Sequence, residues 1–201
     1  MCGFIGYLSE KVDNNPELET QIRIASKSIQ SRGPDEETYL KESNLYLGFR
    51  RLAIQDIKNG SQPLLSRSRN NIIVLNGEIY NHLFLRKEYL KDHRFESTSD
   101  AETLVELIEK YGVAKTLPLL NGMFAFACFN KKENQTIIAR DRFGIKPLFI
   151  SKNNIGITFS SEITPIQQLN NIQNRLNYLS LYRLLVFWYV CEPETIYQDI
   201  S

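Results

Sequence analysis

Four short apolar runs crowded between Met123 and Ser160 constrain the fold more than anything else in this chain. Met123 to Phe129, Thr136 to Ala139, Pro147 to Ser151 and Ile157 to Ser160 each have the length of a strand, and polar turns at Asn130 to Gln135 and Asn153-Asn154 break them. A parallel crossover needs a dozen or more residues between strands, so gaps this short dictate antiparallel hairpins. Helical periodicity flanks them. Leu18, Ile22, Ala25 and Ile29 recur every three or four residues from Pro16 to Ser31, which is one face of an amphipathic helix. Ser99-Asp100-Ala101-Glu102 reads as a capping box, with Ser99 as N-cap and Glu102 as its reciprocal partner. The helix behind it carries Leu104, Leu107 and Ile108 on one face and should end near Gly112. Glu162 to Leu169 and Leu176 to Val190 also read as helical. A sheet-rich α+β domain follows.

At 201 residues the chain fits one domain, or one with a short extension, and can bury a sizeable core without staples. A net charge of +1 argues against a large nucleic-acid footprint, and the basic clusters Arg67 to Arg69 and Lys131-Lys132 read as solvated loops. Cys2, Cys128 and Cys191 have no metal-ligand spacing and leave one unpaired, which suits a reducing cytoplasm. Cys128, inside the most apolar run, reads as inert core. That run, Met123 to Phe129, is far shorter than the roughly 20 residues of a membrane helix. A cytoplasmic protein without membrane or nucleic-acid partners is expected.

Chemistry concentrates in a few places. Cys2 to Leu8 reads as a strand, and if Met1 is removed Cys2 carries a thiol and a free α-amine on one residue, nucleophile and base together. Leu45 to Ile54 reads as a strand with Arg50 and Arg51 in its middle; alternation sends one to solvent and the other to the opposite face. Ile72 to Leu75 is a strand that stops at Asn76-Gly77-Glu78-Ile79-Tyr80-Asn81, where Asn-Gly is a hairpin-turn signal. Arg32-Gly33-Pro34-Asp35 reads as a turn. Asp100, in the first turn of its helix, already has a reason to be there in the helix dipole. His82 and His93 pair with no serine or metal cluster and receive no role.

Together these strings resemble the class II glutamine amidotransferase domain, and within it the glutaminase domain of glutamine-hydrolysing asparagine synthetases. Met1-Cys2-Gly3-Phe4, Arg32 to Asp35, Arg51-Leu52-Ala53-Ile54, Gln62-Pro63, Asn76 to Asn81, Ser99 to Glu102, Asn121 to Phe126, Arg140 to Leu148 and Ser160-Ser161-Glu162 stand in the family's order over nearly the whole chain. The resemblance implies the four-layer αββα sandwich of N-terminal-nucleophile hydrolases, with two antiparallel sheets. It implies hydrolysis of L-glutamine to glutamate and ammonia through a Cys2 thioester, with Asn76 and Gly77 as oxyanion donors. Arg51 would grip the α-carboxylate and Asp100, assisted by Glu78, the α-ammonium, while Leu52, Ile54 and Gln55 complete the substrate site. Arg50 is then the solvated arginine.

Phe49 stands where many relatives have histidine, and Cys191 stands in a segment usually richer in proline; neither removes a catalytic group. The reading divides the chain into a glutaminase domain over 2–190 and a tail over 191–201 with no clear partner in this chain, leading toward an absent synthetase domain. The glutaminase reaction needs no cofactor; ATP and magnesium would belong to a synthetase-like domain or subunit acting with it. Two other readings compete: a catalytically silent glutamine-binding or assembly module, and a truncated synthetase fragment with an exposed apolar surface near Leu184 to Tyr189.

Overall fold

The computed structural model describes residues 2–9, 16–154, 156–170 and 175–201. Among them nine strands form two sheets, and every pairing is antiparallel. The first sheet has the order β2 (Glu36–Glu42), β3 (Leu45–Arg51), β1 (Gly3–Leu8), β9 (Ile157–Ser160), β8 (Phe149–Lys152). The second runs β4 (Leu64–Leu65), β5 (Asn71–Ile79), β6 (Gly122–Asn130), β7 (Gln135–Arg140). Helices α1 (Pro16–Lys27) and α5 (Ile163–Asn170) accompany the first sheet, and α2 (His82–Tyr89), α3 (Asp100–Tyr111) and α4 (Val113–Thr116) the second; α6 (Tyr178–Phe187) follows.

Strand alternation turns this order into four layers. Successive side chains point to opposite faces. Phe4, Leu45, Leu47 and Phe49 from the first sheet therefore meet Ile72, Val74, Ala125, Ala127 and Phe129 from the second in a core between the sheets. The intervening residues point outward. Ile5, Tyr7 and Tyr46 pack under Leu18, Ile22 and Ala25 of α1 and Leu169 of α5. Ile73, Leu75, Phe126 and Cys128 pack under Leu104, Leu107 and Ile108 of α3. Three apolar layers between four structural ones are the expected αββα sandwich. Phe49 belongs to the middle core, and Cys128 to an outer one, where burial pushes its thiol up to about 12.

Several local expectations are corrected. β5 does not stop before Asn76: it continues to Ile79, with Asn76 opposite Ala125 and Gly77 opposite Phe124. Asn76-Gly77 is thus strand, not hairpin turn, because β6 supplies a full-length partner. Arg50 is not solvated but 4% exposed. It pairs with Glu37 at 2.6 Å and donates to the Ser26 carbonyl and hydroxyl, so α1 covers the face that a lone strand would offer to water. The capping box is half formed: Ser99 Oγ accepts from the Ala101 N–H, but the Glu102 carboxylate accepts from the Glu96 and Ser97 N–H groups, both at 2.8 Å, instead of reaching back to Ser99.

β2 and α2 carry little apolar signal, the one with charged pairs at both ends and the other burying only Leu85, and they emerge only in context. The 191–201 segment does find partners here. Glu192 pairs with Arg140 at 2.7 Å, Ser201 and Ile150 exchange backbone hydrogen bonds, and Ile200 is buried.

Candidate active site

Cys2 lies just ahead of β1, the middle strand of the first sheet, and its surroundings are assembled by neighbours distant in sequence. The Leu52 N–H, just past the end of β3, donates to Cys2 Sγ at 3.4 Å, and Sγ lies 3.7 Å from the Leu52 carbonyl. Arg32 Nε donates to the Cys2 carbonyl at 3.1 Å and its Nη1 pairs with Glu162 at 3.2 Å. Gly33 makes this reach possible, since a Cβ there would stand 2.4 Å from the Arg50 backbone. Burial pushes the Cys2 thiol up; the Leu52 N–H and the charge of Arg51 pull the other way. Met1, whose removal would free the Cys2 amine, lies outside the described residues.

Opposite Cys2 stands β5. Asn76 has no exposed surface, and neither its amide oxygen nor its amide nitrogen has a hydrogen-bond partner. An unpaired buried amide costs about 1–3 kcal/mol, so its retention points to a ligand that completes it. Gly77 has φ +156°, and a Cβ there would fall 2.1 Å from the Met123 carbonyl oxygen. Only glycine lets β5 and β6 approach this closely.

The charged groups follow. Arg51, at the end of β3, donates through Nη1 to Glu36 at 3.3 Å and the Ile57 carbonyl at 3.2 Å, and through Nη2 to the carbonyls of Gln55 at 3.3 Å and Asp56 at 2.7 Å. It holds the 55–57 segment as a wall of the site. Gln55 Nε2 in turn donates to Glu78 at 2.8 Å. Asp100, the first residue of α3, accepts from the Ile79 N–H at 2.8 Å; burial raises its carboxyl, and that N–H lowers it.

These groups converge on one cavity of about 120 Å³. Its lining includes Cys2, Arg51, Leu52, Ile54, Gln55, Asn76, Gly77, Glu78 and Asp100, the whole set expected from sequence, with Ile54 exposed at its rim. Sequence reasoning missed Lys146, which also lines the cavity, and Gln62, which is clamped to Leu75 through its Oε1 at 2.6 Å and its Nε2 at 3.4 Å. It also gave no role to His82, whose buried Nδ1 lacks a partner and whose charge interacts with Asp100 and Glu78. Lys146 stands inside the Arg140 to Leu148 string, but the string alone does not say which of its side chains faces the cavity. Among the described residues no cluster of His, Cys, Asp or Glu could hold a metal ion, and no helix is long and apolar enough to cross a membrane.

The glutamine amidotransferase domain family matches residues 1–201. The chain belongs to that family. This amidotransferase domain is 39% identical over 164 residues to asparagine synthetase [glutamine-hydrolyzing] 2 of Bacillus subtilis, covering 81% of this chain and 22% of that protein. It is 35% identical over 198 residues to asparagine synthetase [glutamine-hydrolyzing] 1 of the same organism, covering 98% and 31%. The domain therefore spans between a fifth and a third of these relatives' length. Among solved structures, glutamine phosphoribosylpyrophosphate amidotransferase from B. subtilis superposes with a TM-score of 0.68 at 22% identity, over 84% of this chain and 44% of that one. That likeness carries the fold, two antiparallel sheets packed between helical layers.

Proposed function

We propose that this domain hydrolyses L-glutamine to glutamate and ammonia with Cys2 as nucleophile. The observation that carries the reading is the buried, unpartnered Asn76 amide in the same cavity as the Cys2 thiol. Cys2 sulfur attacks the side-chain carboxamide carbon, and charge gathers on its oxygen. The Asn76 amide and the Gly77 N–H are the donors that would meet it, each worth about a hundredfold to a thousandfold in rate. The thiol proton passes through the Cys2 α-amine, freed by loss of Met1, to the leaving nitrogen, and ammonia departs. Water then adds to the thioester carbon and returns a proton to sulfur.

Recognition of the amino-acid head follows from charge. Asp100 and Glu78 attract the α-ammonium and Arg51 the α-carboxylate; a bidentate grip by Arg51 requires it to release carbonyls of the 55–57 segment. The ammonia would pass to an asparagine-synthetase-like domain or subunit in the cytoplasm, which would bring ATP and magnesium for amide synthesis. The names of the curated relatives support that acceptor.

The test is intact mass before and after a glutamine-mimicking electrophile, with glutamate release compared in the parent and Cys2→Ala. A mass lacking Met1, one adduct on Cys2, and release abolished in Cys2→Ala are expected. A processed, folded protein with neither adduct nor turnover would sink the reading in favour of a silent module.

A further inference from the structure

Lys146 is 3% exposed, in a protein whose other lysines mostly face water. A buried ammonium loses hydration that nearby opposite charge or hydrogen bonds must offset, so lysine is almost never fully buried unless paired. The chain invests heavily in holding this one. Asp141 takes four backbone N–H groups, those of Phe143 and Ile145 on Oδ1 and those of Phe124 and Lys146 on Oδ2, at 3.0 to 3.2 Å. Arg140 Nε donates to the Lys146 carbonyl at 2.6 Å and its Nη2 to the Gly144 carbonyl. The loop is pinned on both sides of its turn, and Lys146 lines the cavity that holds Cys2, Asn76 and Glu78.

The charges that act on Lys146 come both from the cavity wall and from outside it. Burial and the cation of Arg32 push its amine down, while Asp141, Cys2 and Glu78 favour the ammonium. Cys2 is the complement: a thiol penalised by burial, opposed by the Leu52 N–H and by Arg51. The Cys2 charge favours the Lys146 ammonium, so the two groups stand within charge range of one another, and the same attraction acts against that penalty. Each charge favours the other across the shared cavity.

We propose that Lys146 is a positioning residue of the nucleophile, its buried ammonium holding negative charge on the Cys2 sulfur. The inference rests on the reading of Cys2 as nucleophile. By the same sign, its field disfavours protonation of a Cys2 α-amine, which must be neutral to accept the thiol proton. Lys146 needs no contact with glutamine for either effect.

The test reads the sulfur directly. In a Cys191→Ser background, which removes the exposed thiol, the rate of Cys2 alkylation by iodoacetamide is followed by intact mass from pH 6 to 10.5 for the parent, Lys146→Met, Lys146→Gln and Lys146→Arg. The neutral variants should react about tenfold more slowly at pH 7 and converge on the parent at high pH, where every thiol is ionised. Lys146→Arg should stay within about twofold of the parent throughout. A neutral variant whose profile overlays the parent, or one slowed equally at every pH, overturns the proposal, the latter because packing alone was lost. If neither neutral variant folds, the unmutated protein serves: the Lys146 side-chain NMR signal should titrate at lower pH once Cys2 is alkylated, and an unchanged titration overturns the inference. A parent that is not alkylated on Cys2 at any pH removes the nucleophile reading and this proposal together. Displaced profiles without glutamate release bear out Lys146 while glutamine hydrolysis falls.

Discussion

At the scale of single residues, the site sets apart groups that serve the fold from groups that serve a ligand. The Asn76 side-chain amide makes no hydrogen bond to the protein, so truncating it breaks none that the fold uses. Asn76→Ala should therefore lower glutamate release by about a hundredfold to a thousandfold while leaving stability within about 1 kcal/mol of the parent. Steady-state kinetics beside urea unfolding check both halves; a variant that loses stability in proportion to activity would make Asn76 a structural residue. Asp100 carries a pH prediction. Burial raises its carboxyl, and only the ionised form attracts an α-ammonium. On acidification KM for glutamine should begin to rise above the ordinary aspartate value of about 3.9, and Asp100→Asn should have a high KM without that limb. Measuring KM between pH 4 and 7 decides it, provided the enzyme stays folded there by circular dichroism.

At the scale of elements, the loop between β7 and β8 depends on one carboxylate. Both oxygens of Asp141 accept two N–H groups each, so an amide in its place turns one acceptor into a donor facing two donors. Asp141→Asn should cost about 2–4 kcal/mol, read as a lowered urea midpoint. Burial raises the Asp141 carboxyl, but the N–H donors outweigh it and hold it below the usual range. A carboxyl depressed by folding stabilises fully above its unfolded value of about 3.9, and that contribution disappears as pH falls through the folded value. The parent should lose stability between about pH 4 and pH 2 more steeply than Asp141→Asn. Equal slopes would remove Asp141 as the acid-sensitive group.

At the scale of the whole molecule, two sheets and their helices leave an apolar surface out of the packing. Along α6 and just beyond it, Tyr182, Leu185, Phe187, Trp188 and Tyr189 are all more than half exposed, with Trp188 at 89%. This matches the expectation of an apolar surface near Leu184 to Tyr189. Because these side chains already face water, Leu185→Ser with Trp188→Ser should change stability by less than about 1 kcal/mol. The same pair should raise the concentration at which the chain begins to aggregate, measured by static light scattering, since it breaks a contiguous apolar patch. A large loss of stability would mean that α6 packs through this face in solution.

Local sequence determined the parts of this protein whose causes are local. Hairpin spacing made the sheets antiparallel, helical periodicity placed α1 and α3, and the ordered strings placed Cys2, Arg51, Asn76, Gly77 and Asp100 in one family register. Tertiary structure alone decided the rest, because burial and partnership are properties of what arrives from elsewhere in the chain. β6 pairs through Asn76-Gly77 and turns an apparent hairpin signal into strand. α1 lies over Arg50 and turns an apparent surface charge into a buried ion pair with Glu37. Glu102 finds two nearer N–H groups than the one a capping box assigns it. Lys146 stands in the Arg140 to Leu148 string with no role of its own until Asp141 and Arg140 fold its loop against the cavity of Cys2. No pattern along the sequence encodes the field that a cation exerts on a sulfur more than a hundred residues away.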